Sequence, residues 1–405
     1  MNQILLEAQE RKEILIAYRR WLHQHAETGF SLKNTTEFVM DKLTEMGYDP
    51  KPCGQSGIVA TIGAGDKTIL LRADMDALPI TEESSLPFAC DHGNMHACGH
   101  DMHTTMLLGA AELLMKRKES LKGAVKLMFQ PAEEILSGAS DMIASGVLEN
   151  PKVDAAVMIH VTTGTPMPTG TIYIPSTGVS SPAADYFTIR VQGKGCHGST
   201  PEKGVDAVTA AAHILVSLQE IRARELSAGQ EAIFTIGSFH GGAADNVIAD
   251  TADLGGTIRA YDEETRSFLK TRITEMAQNI AEAFRASATV TFGAGCPPMY
   301  NHEDLTQKAP HILKPLLGET SVICGAQLTA QGKPTRSGGS EDFAYISQIV
   351  PSMMLALAAG TPEEGHSYPL HHPMVTFDES VLPIGAAVLA HFALTWLRES
   401  CGGRN

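Results

Sequence analysis

Residues 124–134 read Ala-Val-Lys-Leu-Met-Phe-Gln-Pro-Ala-Glu-Glu, an apolar run that stops at a proline and two carboxylates. Upstream, Ile69-Leu70-Leu71 leads into Asp74; downstream, Ala155 to Ile159 leads into His160, and a further run spans Met353 to Ala359. Between the first two runs Met106, Leu107, Ala110, Leu113 and Leu114 recur at helical spacing. Short apolar runs separated by helices predict an α/β fold: a catalytic domain with a mostly parallel, buried sheet flanked by helices. In such sheets reactive groups gather beyond the carboxyl ends of the strands. Asp74, Glu133, Glu134 and His160 all stand at or just past such an end.

The pattern changes near residue 183. In Asp185 to Gln192, Phe187, Ile189 and Val191 face one way and Tyr186, Thr188, Arg190 and Gln192 the other, as in a strand wet on one side. A helical stretch follows (Val205 to Leu218), then strands near 231–239 and 252–260, a helix from Phe268 to Phe284, and a strand near 288–293. This β-α-β-β-α-β order is the ferredoxin-like α+β arrangement. It predicts an inserted domain at 183–297 within a discontinuous domain of 1–182 and 298–405. At the start, apolar residues from Ile4 to Leu22 predict one opening helix.

The 405 residues carry 31 basic and 46 acidic side chains, a net charge of −15 that on average repels nucleic acid and an anionic membrane surface. Seven scattered cysteines lack the close, even spacing of a disulfide framework, and the N-terminal segment has no signal-like apolar core; both point to a reduced, cytoplasmic setting. No run of about 18 apolar residues is expected to span a bilayer.

Sixteen histidines are present, and four of them fall at 92, 96, 100 and 103. Residues 95–103, Met-His-Ala-Cys-Gly-His-Asp-Met-His, offer a thiolate, three imidazoles and a carboxylate. Cys98 and His100, two apart around a glycine, can turn toward one centre, and thiolate with imidazole suits zinc or another late divalent ion. Of the adjacent carboxylates Glu133 and Glu134, one can bind a cation while the other meets the water that the cation holds. His160 reads either as a ligand or as a satisfied core imidazole. The loop 365–373 supplies His366, His371 and His372.

The segments RADMDALP (72–79), MHACGHDMH (95–103), FQPAEE (129–134), IH (159–160), GKGCHGSTP (193–201), DNVIADTADLGGTIR (245–259), GGSEDFAY (338–345) and LHHP (370–373) occur in an order that resembles the metallo-amidohydrolase/peptidase family of hippurate hydrolase, N-acyl-amino-acid amidohydrolases and auxin-conjugate hydrolases. The resemblance implies that the inserted domain is a lid or dimerisation domain. It implies metal ligation by Cys98, His100, Glu134, His160 and His371, with Cys98 bridging two divalent ions (Zn, Mn, Co or Ni) and Glu133 as general base. Asp74, Asp76 and Asp101 are then expected to orient imidazoles. His197 is expected to stabilise the oxyanion, and Asn246 and Arg259 to hold the polar end of the substrate.

Hydrolysis of the amide of small-molecule N-acyl amino acids, by a homodimer or homotetramer, is the implied function. A metal-free thiol hydrolase built on Cys98 and a non-catalytic metal-binding scaffold are the alternatives. Asn94, Ile135, Met158 and Cys196 depart from the family pattern and are expected to reshape the pocket wall.

Overall fold

A computed structural model of the protein describes residues 2–325 and 338–401. They fall into two compact units: residues 2–180, 300–325 and 342–401 form the larger, and residues 181–299 with 338–341 the smaller.

The larger unit is organised by an eight-stranded sheet with spatial order Lys51–Cys53, Gly57–Gly63, Ala124–Gln130, Thr68–Asp74, Ala155–Thr162, Ser352–Ala358, Ile172–Ile174, Val322–Cys324. The four central strands are the four apolar runs of the sequence, and they pair parallel. Their registers align the carboxyl ends, with Asp74 opposite Gln130 and Thr162 opposite Ala358. Thr68–Asp74 and Ala124–Gln130 are buried along their whole length, so both lack the alternation of a half-wet strand. Lys126 interrupts one run; its Nζ donates to the carbonyls of Val147, Glu149 and Pro151 at 2.9, 2.7 and 2.9 Å.

The helix His100–Met115 is buried at fourteen of its sixteen positions and packs against Lys12–Gln24 and Leu382–Cys401. The opening segment is two helices, Gln3–Glu10 and Lys12–Gln24, divided at Arg11, which leaves helical geometry at φ −94°, ψ 2°. A one-residue break hardly disturbs the apolar spacing, so periodicity alone reads through it. The segment Glu379–Cys401 is long and apolar enough to cross a bilayer, against the expectation of no such run. Its face is instead used in the protein: 72% of its most apolar window is buried in the core.

The smaller unit has an antiparallel sheet ordered Ala232–Gly241, Thr251–Ala260, Ala183–Gln192, Ser287–Cys296, with helices Ala207–Glu220 and Glu263–Ala283 packed on it. In Ala183–Gln192 the buried Phe187, Ile189 and Val191 alternate with exposed Tyr186, Thr188, Arg190 and Gln192. The buried Asp185 ties strand to helix through Arg266 (2.6 and 2.8 Å) and Lys270 (3.0 Å).

Candidate metal centre

Gly99 decides how Cys98 and His100 are presented. It sits at φ 84°, in the left-handed region, and its carbonyl accepts the N–H groups of Met102 and His103 to start the helix. A Cβ there would lie 2.4 Å from Val161 Cγ2 and 3.1 Å from the Phe377 ring. The thiol and the imidazole on either side reach one another's neighbourhood because the backbone turns in a space that only glycine fits.

Five of the predicted side chains converge. Cys98 Sγ is 3.5 Å from His160 Nε2 and 3.3 Å from His371 Nε2; Glu134 Oε1 is 3.5 Å from His371 Nε2 and 3.9 Å from His100 Nε2. The donor atoms form two trios, each within 4.8 Å: Cys98 with His100 and His160, and Cys98 with Glu134 and His371. Cys98 belongs to both. Glu133 stands outside these two but joins His100 and Glu134 in a third group, its Oε2 4.0 Å from His100 Nε2.

The hydrogen bonds fix which ring nitrogens face the cluster. His100 Nδ1 donates to the Asp76 carbonyl (2.8 Å), and His160 Nδ1 to its neighbour Val161's carbonyl (2.7 Å). Each ring therefore turns its Nε2 toward the donors around Cys98, where a cation would take the place of a proton. The buried His100 Nε2 and Glu134 Oε1 have no hydrogen-bond partner among the described residues. Buried lone pairs without a donor are costly unless a cation takes them.

The titration directions have the same origin. Burial opposes charge on His100, yet the Asp74 charge, the Asp76 contact and Cys98 outweigh it and push its pKa well above the usual range. Burial pushes the Glu134 carboxyl up, aided by Asp76 and Asp74 and opposed by His100 and His371. The cluster favours positive charge, and one thiolate, three imidazoles and a carboxylate fit a pair of borderline divalent ions.

Asp76, expected to orient an imidazole, does so with its carbonyl; its carboxylate accepts the N–H groups of Glu133 (3.0 Å) and Glu134 (3.2 Å). It thus fixes the loop that follows Ala132, itself at φ 55°. Asp74 hydrogen-bonds His103 and only approaches His100: His103 Nδ1 donates to one oxygen at 2.6 Å, the other oxygen lies 3.6 Å from His100 Nε2, and His103 Nε2 accepts the Val161 N–H at 2.8 Å. Both nitrogens of His103 are spoken for, so its proximity to His100 does not make it a donor. Burial pushes its pKa down to about 4. Asp101 faces His23 (2.8 Å) and Arg19 (2.7 Å). Of the four clustered histidines only His100 joins the five converging donors; His96 is buried elsewhere, pushed down to about 3 by burial, and His92 contacts Cys90.

His371 adopts φ 66°, and its N–H bonds the Ala97 carbonyl at 2.9 Å, tying its loop to the cysteine turn. His372 turns away and stacks on Tyr368, centroids 4.4 Å apart.

In the smaller unit, His197 lies in the short pairing of Cys196–His197 with Val247–Ile248. Its Nδ1 accepts the Ser199 N–H at 3.1 Å, so the proton of the neutral ring is on Nε2. Asn246 is brought alongside, its carbonyl accepting the Gly198 N–H at 2.7 Å. Arg259 sits mid-sheet opposite Ala184 and Ile233, with its guanidinium 5.8 Å from the Tyr186 ring centroid.

Sequence reasoning assigned no role to Arg72, Gln130 or Asp342. Arg72 is buried and contacts Asp74 (2.6 Å), Gln130 (2.9 Å) and Asp342 (3.1 Å), while Asp342 also accepts from Gln130 Nε2 and the Ala139 N–H. An arginine inside an apolar strand was the available signal. Three of the departures from the family pattern have polar partners: Asn94 donates to the Ala26 carbonyl at 2.9 Å, Met158 sulfur lies 3.4 Å from Arg72 Nη1, and Cys196 Sγ lies 3.4 Å from the Thr200 carbonyl.

Residues 70–395 match the peptidase family M20/M25/M40. The chain is 37% identical over 388 residues to the N-acetyl-L-cysteine deacetylase of Bacillus subtilis, covering 94% of this chain and 87% of that protein. It is 35% identical over 409 residues to the IAA-amino acid hydrolase ILR1-like 2 of Arabidopsis thaliana, covering 98% and 88%. A solved structure, the YXEP protein of Bacillus subtilis, described as a dinuclear metal-binding peptidase of the M20 family, superimposes with a TM-score of 0.77 at 31% identity over 96% of this chain and 98% of that one.

Proposed function

We propose, given that this chain belongs to peptidase family M20/M25/M40, that it hydrolyses the amide bond of N-acyl amino acids, releasing a carboxylic acid and a free amino acid. The observation that carries this reading is the sharing of Cys98 between two donor trios, a set of side chains that could hold two divalent ions. Cys98, His100, Glu134, His160 and His371 would hold them. Such ions polarise an amide carbonyl and lower the pKa of water from about 15.7 toward about 7.

Glu133 is the base. Its backbone is fixed by Asp76, and its carboxylate lies beside the donors without belonging to either trio around Cys98. It removes a proton from the attacking water and delivers it to the leaving nitrogen. His197, protonated at Nε2, is the donor for the developing oxyanion. Arg259 takes the amino acid carboxylate through its planar fork, and Asn246 assists.

The relatives named a deacetylase of N-acetyl-L-cysteine and a hydrolase of IAA-amino acids support this substrate class. A metal-free thiol hydrolase needs one imidazole beside Cys98, whereas two imidazoles contact its sulfur at 3.3 and 3.5 Å. We further infer a homodimer or homotetramer, checked by sedimentation, and a cytoplasmic protein, supported by seven free thiols and checked by fractionation.

The test screens N-acetyl, N-benzoyl and longer N-acyl amino acids with the metal-loaded protein, after chelation, and with Glu133→Gln. Chelation should abolish turnover and metal restore it; Glu133→Gln should keep its metal and lose about 10²–10⁴ in rate. Near wild-type turnover by metal-loaded Glu133→Gln rejects the assignment, as does turnover that survives chelation and dies on alkylation.

A further inference from the structure

Nothing in that reaction uses His23, a histidine on the helix Lys12–Gln24 that is only 1% exposed. Its Nδ1 lies 2.8 Å from Asp101 Oδ2, and its Nε2 lies 3.1 and 3.0 Å from the two oxygens of Glu82. Ionised carboxylates only accept, so a ring that serves both must donate from both nitrogens and carry a positive charge. Its surroundings balance that charge. Arg19 faces the same Asp101 oxygen at 2.7 Å and reaches Glu379 at 3.4 Å, and Arg20 closes on Glu379 at 2.6 Å. Three cations thus meet three carboxylates, with the Phe88 ring against His23 and the His96 ring 6.2 Å away. Burial and Arg19 oppose charge on His23, but Asp101 and Glu82 prevail and raise its pKa.

The two carboxylates belong to different parts of the metal centre. Asp101 directly follows His100 at the start of the buried helix. Glu82 precedes Glu83, whose N–H donates to the Pro373 carbonyl at 2.8 Å, two residues beyond His371. Glu82 also accepts the Cys90 N–H at 3.0 Å, so its loop is held at both ends. A continuous path of short contacts therefore runs from His100 through Asp101, His23, Glu82 and Glu83 to the loop that carries His371.

We propose that His23, as a buried imidazolium, is a positioning residue that sets the separation between the Cys98–His100 turn and the His371 loop, and so the affinity of the ion held by Cys98, Glu134 and His371. The inference rests on the two-ion reading of the site. Partners that hydrogen-bond the donors themselves typically change metal affinity by about 10–100-fold when replaced; His23 stands further out, so the lower end, about tenfold, is expected.

The experiment titrates the metal-free full-length protein with Zn²⁺ and with Mn²⁺ by calorimetry, for wild type, His23→Gln and Glu82→Gln, beside thermal unfolding of each metal-free form. Glu82→Gln keeps a hydrogen-bonding side chain of the same shape and serves should His23→Gln fail to fold. One of the two binding events should weaken by about tenfold in both variants, with the other far less affected. In the metal-loaded wild type, ¹⁵N-histidine spectra at pH 8 should contain one ring with both nitrogens protonated, perturbed by Glu82→Gln. Wild-type affinity for both ions in the folded variants, or no doubly protonated ring at pH 8, overturns the proposal. Wild type that binds neither ion defeats the two-ion reading itself, which separates the two failures.

Discussion

Replacing Gly99 by alanine is the most informative single change in the larger unit. Alanine at φ 84° costs about 1–2 kcal/mol from the clash of its Cβ with its own backbone. The same Cβ, 2.4 Å from Val161 Cγ2 and 3.1 Å from Phe377, forces a tightly packed neighbourhood apart, for about 1–3 kcal/mol more. The sum is about 2–5 kcal/mol. Val161 is the neighbour that must move, and it is not passive: its carbonyl fixes the His160 ring and its N–H is held by His103. Gly99→Ala should therefore lose metal affinity as well as stability. Urea unfolding followed by fluorescence, with calorimetric metal titration, measures both. Gly146→Ala is the control, since Gly146 has φ 85° but open space where a Cβ would stand; it should lose about 1–2 kcal/mol and no metal affinity. A Gly99→Ala protein as stable as Gly146→Ala, with unchanged metal binding, would refute the packing argument.

Two other substitutions probe buried charge. Arg72→Met leaves Asp74 and Asp342 buried without their cation and should cost about 3–5 kcal/mol in denaturant unfolding; Arg72→Lys should recover only part of this, lacking the fork that reaches Gln130 and both carboxylates. Lys126→Met strips the donor from three carbonyls at once and should lower stability by about 2–5 kcal/mol without altering metal stoichiometry, read by calorimetry and metal analysis.

The sequence announced the sheet because its central strands are buried on both faces and so appear as unbroken apolar runs; it announced the smaller unit because Ala183–Gln192 alternates cleanly. The division of the opening helix at Arg11 escaped because the apolar spacing continues across it. In the centre, residue types near a strand end picked out side chains that converge, but the contacts around them did not follow from type. Asp74, two residues from Asp76 in one motif, serves His103, while Asp76 serves the His100 ring through a backbone atom that any residue possesses. His103 has the same chemistry as His100 and a different fate, decided by a single backbone N–H from Val161. Long-range partners such as Asp342 for Arg72, 270 positions apart, are invisible to local pattern.

The contact between Cys98 and His371 spans 273 positions of chain. At a ribosomal pace of about 5–20 residues per second, roughly 15–55 s separate the emergence of these two residues. Throughout that interval Cys98 lacks one of its two imidazole neighbours, and Arg72 awaits Asp342. A product aborted before residue 342 would thus lack both, and the five converging side chains can meet only after residue 371 has been made.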